Sequence, residues 1–158
     1  MTVPVDPVMN IRPVLATEYP AFYTLMRENM QRYHERYDIS WDQQWMESNY
    51  RDKHNYAICR RAEAVGFLSL EWQPGQLYIH TLQLSPEVQG RFYGARVFAW
   101  LQGLAIERGA ATIVCKSFKD NPALAMYRKM GLEIVETQGI LVQLAVAVDR
   151  IWLPAASK

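Results

Sequence analysis

The chain has 158 residues, half of them hydrophobic and 21% charged, the length and composition of one ordinary globular domain spanning residues 1–158. Its 17 Lys+Arg against 16 Asp+Glu leave +1, so no concentrated basic face is expected, which argues against a nucleic-acid partner. No apolar run reaches the roughly 18 residues of a membrane span, and the start, Met1–Arg12, is neither basic nor followed by a secretory apolar stretch.

The elements are expected as follows. Asn10–Leu15 makes a first strand. A helix follows with Thr17 as its N-cap and Pro20 in its first turn, and Phe22, Leu25, Met26, Met30, Tyr33 and Tyr37 recur at helical spacing. Ser40 with Gln43 three residues later reads as a capping box opening a second helix. Trp41 and Trp45 lie one turn apart. From Asn55 the period becomes alternating: Tyr56–Arg60, Val65–Trp72 and Leu77–Leu84 are three strands of an antiparallel meander. Arg61–Ala64 closes the first hairpin and Pro74-Gly75 the second. Phe92–Arg108 is a helix ended by Gly109, with Gly103 inside it as a close-packing position. Ala111–Phe118 is a strand. Asn121-Pro122 caps and opens a last helix that Gly131 ends. Leu132–Thr137 and Val148–Leu153 are strands, and Gln138–Ala147 is open between strand and loop. The order is that of a mixed α/β sheet covered by helices.

Cys59 and Cys115 sit inside apolar runs and read as reduced core residues, which makes the expected location cytoplasmic. His34, His54 and His80 are scattered, and no metal-ligand spacing is present.

The informative stretch begins where the strand Leu77–Leu84 meets Ser85-Pro86 and then Glu87-Val88-Gln89-Gly90-Arg91-Phe92-Tyr93-Gly94-Ala95. A strand, a glycine turn and a helix start form an anion site, because the first helical N–H groups lack partners and the dipole favours negative charge. Arg91 and Arg96 add cations there. Taken alone, the same stretch equally describes a solvated basic helix start.

A second segment, Asp120-Asn121-Pro122-Ala123-Leu124-Ala125-Met126-Tyr127-Arg128-Lys129-Met130-Gly131-Leu132, decides between them. Together the two segments resemble the GNAT superfamily of acyl-CoA-dependent N-acyltransferases. That family reads Gln/Arg-x-x-Gly-x-Gly/Ala after its fourth strand and Asn-x-x-Ala-x-x-x-Tyr-x-x-x-Gly-Phe further on. Gln89 and Gly94 match the first motif. Asn121, Ala125 or its neighbour Ala123, Tyr127, Gly131 and Leu132 match the second. Phe92 departs from the first motif's usual glycine. The resemblance covers about Met9 to Leu153 and implies a mostly antiparallel sheet of about seven strands with about four helices, its fourth and fifth strands splayed.

The resemblance implies acetyl-CoA as co-substrate and direct attack by an amine of a small molecule or peptide. No nucleophile elbow is present, which accords with it. The cofactor-binding residues it implies are Leu82, Gln83 and Leu84 at the strand end, Gln89, Gly90, Arg91, Phe92, Tyr93, Gly94 and Ala95 at the phosphate loop, and Asn121 and Tyr127. Tyr127 is by the same match the donor to the departing thiolate; it equally belongs to the apolar stripe of its helix. Glu71, Tyr78, His80 and, through water, Gln83 are the candidate bases. Glu71 and His80 join Tyr127 as the catalytic set, an imidazole ordinarily titrating near pH 6.5. The acceptor side is expected on the two early helices, with Tyr33, Tyr37 and Trp41 as walls beside Trp45. Glu35, Asp38 or Asp42 would hold an ammonium. The rival expectations are a regulatory CoA-binding protein without turnover and an enzyme for longer acyl chains. Gln138–Ala147 would line the acyl or acceptor pocket, or pair with its mate in a homodimer.

Overall fold

Alternation and helical spacing resolve, among the described residues, into seven strands and four helices. The computed structural model describes residues 9–90 and 93–153; the expectations for Arg91 and Phe92 fall outside them. In chain order come β1 (Met9–Pro13), α1 (Tyr19–Arg36), α2 (Gln43–Arg51), β2 (His54–Arg60), β3 (Glu63–Gln73) and β4 (Gln76–Leu84). Then follow α3 (Tyr93–Glu107), β5 (Thr112–Phe118), α4 (Leu124–Lys129), β6 (Glu133–Gln138) and β7 (Leu141–Ala147). The strands form one mixed sheet in the order β1-β2-β3-β4-β5-β7-β6, with β4 and β5 parallel. The residues group into two compact units, one of 9–70 with Thr81–Val88, the other of Glu71–His80 with 89–90 and 93–153.

The α1–α2 unit is built on aromatic packing. Phe22, Tyr23 and Met26 of α1, Tyr50 of α2 and Ala57, Cys59 and Phe67 of the strands form a buried cluster, with Phe22 stacked on Phe67 at 5.1 Å between centroids. The buried hydroxyl of Ser69 donates to Asn55 Oδ1 at 2.6 Å, and Asn55 in turn donates to the Tyr50 carbonyl at 2.7 Å. That chain satisfies polar groups whose burial would otherwise destabilise the core.

Both helix starts differ from expectation. Thr17 lies in a 3-10 turn (Ala16–Glu18), and the chain is fixed by Glu18, which accepts from Arg12 at 2.8 and 2.9 Å and from the Leu15 N–H at 2.8 Å. Ser40 does not cap α2; Asp42 does, accepting from Trp45 N at 3.0 Å. Asp and Ser are near-equal caps, so local sequence could not choose. α1 ends with Asp38 left-handed (φ 55°) and the Ile39 N–H bonded to the His34 carbonyl at 2.8 Å, a Schellman closure.

In the α3–α4 unit, Val97, Phe98, Leu101 and Ala105 of α3 are buried, as are Ile113, Val114 and Cys115 of β5 and Val142, Leu144 and Val146 of β7. Gly103 is exposed, with open space around it, which corrects its reading as a packing position; Gly94 is the close contact of this helix. Asn121 does not cap α4. Its Oδ1 accepts from Ala123 N at 2.9 Å, an Asx turn that delays the helix to Leu124. Gln138–Ala147 is strand at its end and through β7, while Val148–Leu153, expected as strand, is a 3-10 turn at Val148–Arg150 and then irregular. β7 has β5 on one edge and β6 on the other, so it offers no free edge to a second copy. β6 is exposed along its whole length.

Candidate active site

The α3–α4 unit holds most of the predicted site. Gly90 takes φ +74°, a left-handed turn that suits glycine, and Tyr93 opens the 15-residue α3. The first N–H groups of that helix, from Tyr93, Gly94, Ala95 and Arg96, have no carbonyl a turn earlier in the helix, and the helix dipole is positive there. The Arg96 guanidinium lies over the Tyr93 ring at 5.3 Å. These donors fit a diphosphate. Gly94 has a second feature: a Cβ on it would stand 2.7 Å from the terminal methyl of Met126, so its missing side chain leaves room for that flexible end.

Tyr127 projects from α4 with its ring against Phe98, 5.6 Å between centroids. Part of its surface reaches solvent, yet it is densely surrounded. Burial first, then nearby Cys115, pushes its phenol well above the ordinary range. It is therefore a neutral donor. Burial alone pushes the Cys115 thiol up to about 12, which keeps it protonated and inert as a nucleophile. Asn121 is already engaged, donating to Ser117 Oγ at 2.9 Å and accepting from Ala123 N.

Three of the four candidate bases come together. His80 Nε2 and Glu71 Oε1 are 2.6 Å apart, and the Tyr78 ring lies 4.7 Å from the imidazole. A carboxylate accepts, so Nε2 is the ring nitrogen that carries the hydrogen of this contact, and Nδ1 is the one turned away from Glu71. The Tyr78 phenol is raised, by burial first and then by Cys115 and Glu71. The parallel pairing of β4 with β5 stops at Ile79↔Cys115, although β5 runs on to Phe118. His80 is thus the first β4 residue past the last paired position.

In the α1–α2 unit, Gln83 is fully tied: its Oε1 accepts from Asn29 at 3.0 Å and its Nε2 donates to Thr81 Oγ1 at 2.8 Å. Leu82 and Leu84 are half-buried. The acceptor-side residues are placed as follows. Tyr33 is 3% exposed, and Arg32 lies over its ring at 4.9 Å. Trp41 donates to Gln43 at 2.9 Å and carries Arg27 on its face at 5.8 Å. Glu35 is exposed and accepts from Gln31, Tyr37 caps α1, and Trp45 stands 58% exposed. A cavity of about 310 Å³ in this unit is lined by Phe22 and Leu25 of α1 with Gly66 and Ser85. Asn29 and Gly66 lie outside every motif; their partners are far along the chain, and no local signal marks them.

Among the described residues no group of three His, Cys, Asp or Glu could hold a metal ion, and no helix is long and apolar enough to cross a membrane. Residues 19–132 match the acetyltransferase (GNAT) family. The chain belongs to that family of acyltransferases. Three solved structures share its fold: PaiA N-acetyltransferase from Thermoplasma acidophilum in complex with coenzyme A, the ribosomal-protein-S18-alanine N-acetyltransferase of Escherichia coli, and an acetyltransferase from Thermus thermophilus. Their TM-scores are 0.71, 0.69 and 0.70 at 14%, 17% and 17% identity. The matches cover 88%, 89% and 93% of this chain and 98%, 94% and 99% of those. No curated protein matches the sequence.

Proposed function

We propose that this protein transfers an acetyl group from acetyl-CoA to a primary amine of a small molecule or peptide, by direct attack. The observation that carries this reading is Tyr127: a half-buried, neutral phenol in the family's motif position, its ring packed on Phe98. The coenzyme A bound to the Thermoplasma relative supports the choice of acyl carrier.

Acetyl-CoA supplies a thioester; the amine nitrogen attacks its carbonyl carbon, the C–N bond forms and the C–S bond breaks. The first amides of α3, with Gln89 and Gly90 before them, hold the diphosphate, and the backbone of Leu82–Leu84 meets the pantetheine arm. Tyr127 donates a hydrogen bond to the departing thiolate. A phenol is ordinarily about 1.5 pKa units weaker as an acid than a thiol, and burial widens that gap. Complete proton transfer is therefore uphill by more than about 2 kcal/mol, and Tyr127 acts by hydrogen bonding. His80 takes the amine's proton on Nδ1, with Glu71 fixing the tautomer and stabilising the imidazolium that forms. Two free buried thiols fit a reducing cytoplasm.

The second reading, a CoA-binding regulator without turnover, is favoured by one observation, the Phe92 that replaces the motif glycine. Thiol release from acetyl-CoA, measured with and without an amine panel, separates the two. Amine-dependent release is expected; CoA binding without release on any amine would select the regulator, and no binding would remove both.

A further inference from the structure

The last residues of β4 are held from the side by a residue that belongs to no motif. Asn29, midway along α1, donates one amide hydrogen to Gln83 Oε1 at 3.0 Å and the other to the carbonyl oxygen of Leu84 at 3.1 Å. Because a carbonyl only accepts, the Asn29 nitrogen must face Leu84. Gln83 passes the hold on to Thr81 through its own amide, 2.8 Å from Oγ1. Thr81, Gln83 and Leu84 are therefore tied to one helix side chain, all within the α1–α2 unit.

Gly66 of β3 shows what is being held. A Cβ at that position would stand 2.6 Å from the Gln83 carbonyl oxygen. A Cβ rises out of the pleat, whereas a carbonyl in a regular ladder lies close to the sheet plane. So near an approach means that the peptide between Gln83 and Leu84 is turned out of the plane. The Leu84 carbonyl likewise has a side-chain donor, Asn29. Without that donor the Leu84 carbonyl loses its hold on α1.

We propose that Asn29 is a positioning residue for acyl transfer: it latches the end of β4 so that the backbone of Leu82–Leu84 is preset for the pantetheine arm. The proposal rests on the acyltransferase reading above. Its expected signature follows from preorganisation, since a binding edge that must be ordered on each encounter loses affinity for its ligand. The latch touches the cofactor strand and no acceptor residue, so the amine parameters stay fixed.

The test titrates coenzyme A by calorimetry into wild type, Asn29→Ala and Asn29→Asp, the last keeping the shape but removing both donors. For both variants the Kd for CoA and the KM for acetyl-CoA are expected to rise about tenfold, with the amine KM unchanged. A merely structural role would instead lower the melting temperature and leave the constants of the folded protein alone. A folded variant that binds CoA as wild type does overturns the latch while leaving the acyltransferase reading intact. Wild type that fails to bind CoA overturns that reading, and the latch with it.

Discussion

Gly66→Ala places one methyl group 2.6 Å from the Gln83 carbonyl oxygen, 2.9 Å from Leu84 Cδ2 and 3.1 Å from Ile58 Cδ1. The two side-chain ends can swing aside. The carbonyl cannot move without turning the peptide that directly precedes the Leu84 carbonyl bound by Asn29. Overpacking of this kind costs about 1–3 kcal/mol, and the lower unfolded-state entropy of Ala offsets about 0.4–1 kcal/mol of it. A net loss of about 1–2 kcal/mol should lower the melting temperature by about 3–7 °C for a chain of this size. Gly94→Ala is the control. Its Cβ would meet the methyl end of Met126 at 2.7 Å and the sulfur at 3.4 Å, a flexible neighbour, while Ala is the better helix former by about 1 kcal/mol. Its melting temperature should stay within about 2 °C of wild type. Differential scanning calorimetry of the three proteins decides. Gly66→Ala melting at or above wild type, or Gly94→Ala falling as far, would refute the contact argument.

Three further outcomes are expected. Tyr127→Phe keeps the packing on Phe98 but lowers kcat about 10²-fold, read as thiol release with a cognate amine; wild-type turnover would remove Tyr127 from the mechanism. His80→Gln lowers kcat about 10²-fold and Glu71→Gln about tenfold, since the carboxylate only orients and stabilises; equal effects, or none, would break that division. Cys115 should resist a thiol reagent at pH 8 until the protein is unfolded, because burial raises its pKa to about 12. The linked stability follows from proton counts. Above the ordinary thiol range the unfolded chain has lost a proton that the native chain keeps, so stability is full below that range. It then declines by up to about 1.4 kcal/mol per pH unit as pH climbs toward 12. Urea midpoints between pH 7 and 11 that do not fall would contradict the burial of this thiol.

What the sequence announces is what short-range chemistry writes. The period change at Asn55 marks the meander, and the turn signals at Pro74-Gly75 and Gly109 fall where chain reversals occur. Motif spacing places Gln89, Gly94 and Tyr127 in one unit. The failures have a common cause, in that the deciding partner is distant or equivalent. Asp42 rather than Ser40 caps α2 because both residues serve, and the capping amide is chosen by how α2 docks. The arginines over the aromatics Tyr33 and Trp41, Arg32 and Arg27, are equally a matter of packing that the sequence does not show. Glu71 and His80 are nine residues apart, and only strand pairing makes them neighbours. Asn29 meets its partner 54 residues on, beyond the reach of any pattern.

The sheet terminates at β6, where Ile134 and Val135 face solvent beside Glu133 and Glu136. Between Ile134 and Glu136 the register against β7 slips by a residue, which kinks the outermost strand. A foreign strand arriving there meets two carboxylates and a broken row of amides instead of a flat template. Edge-to-edge addition is thereby disfavoured at the very border where its apolar residues would otherwise invite it.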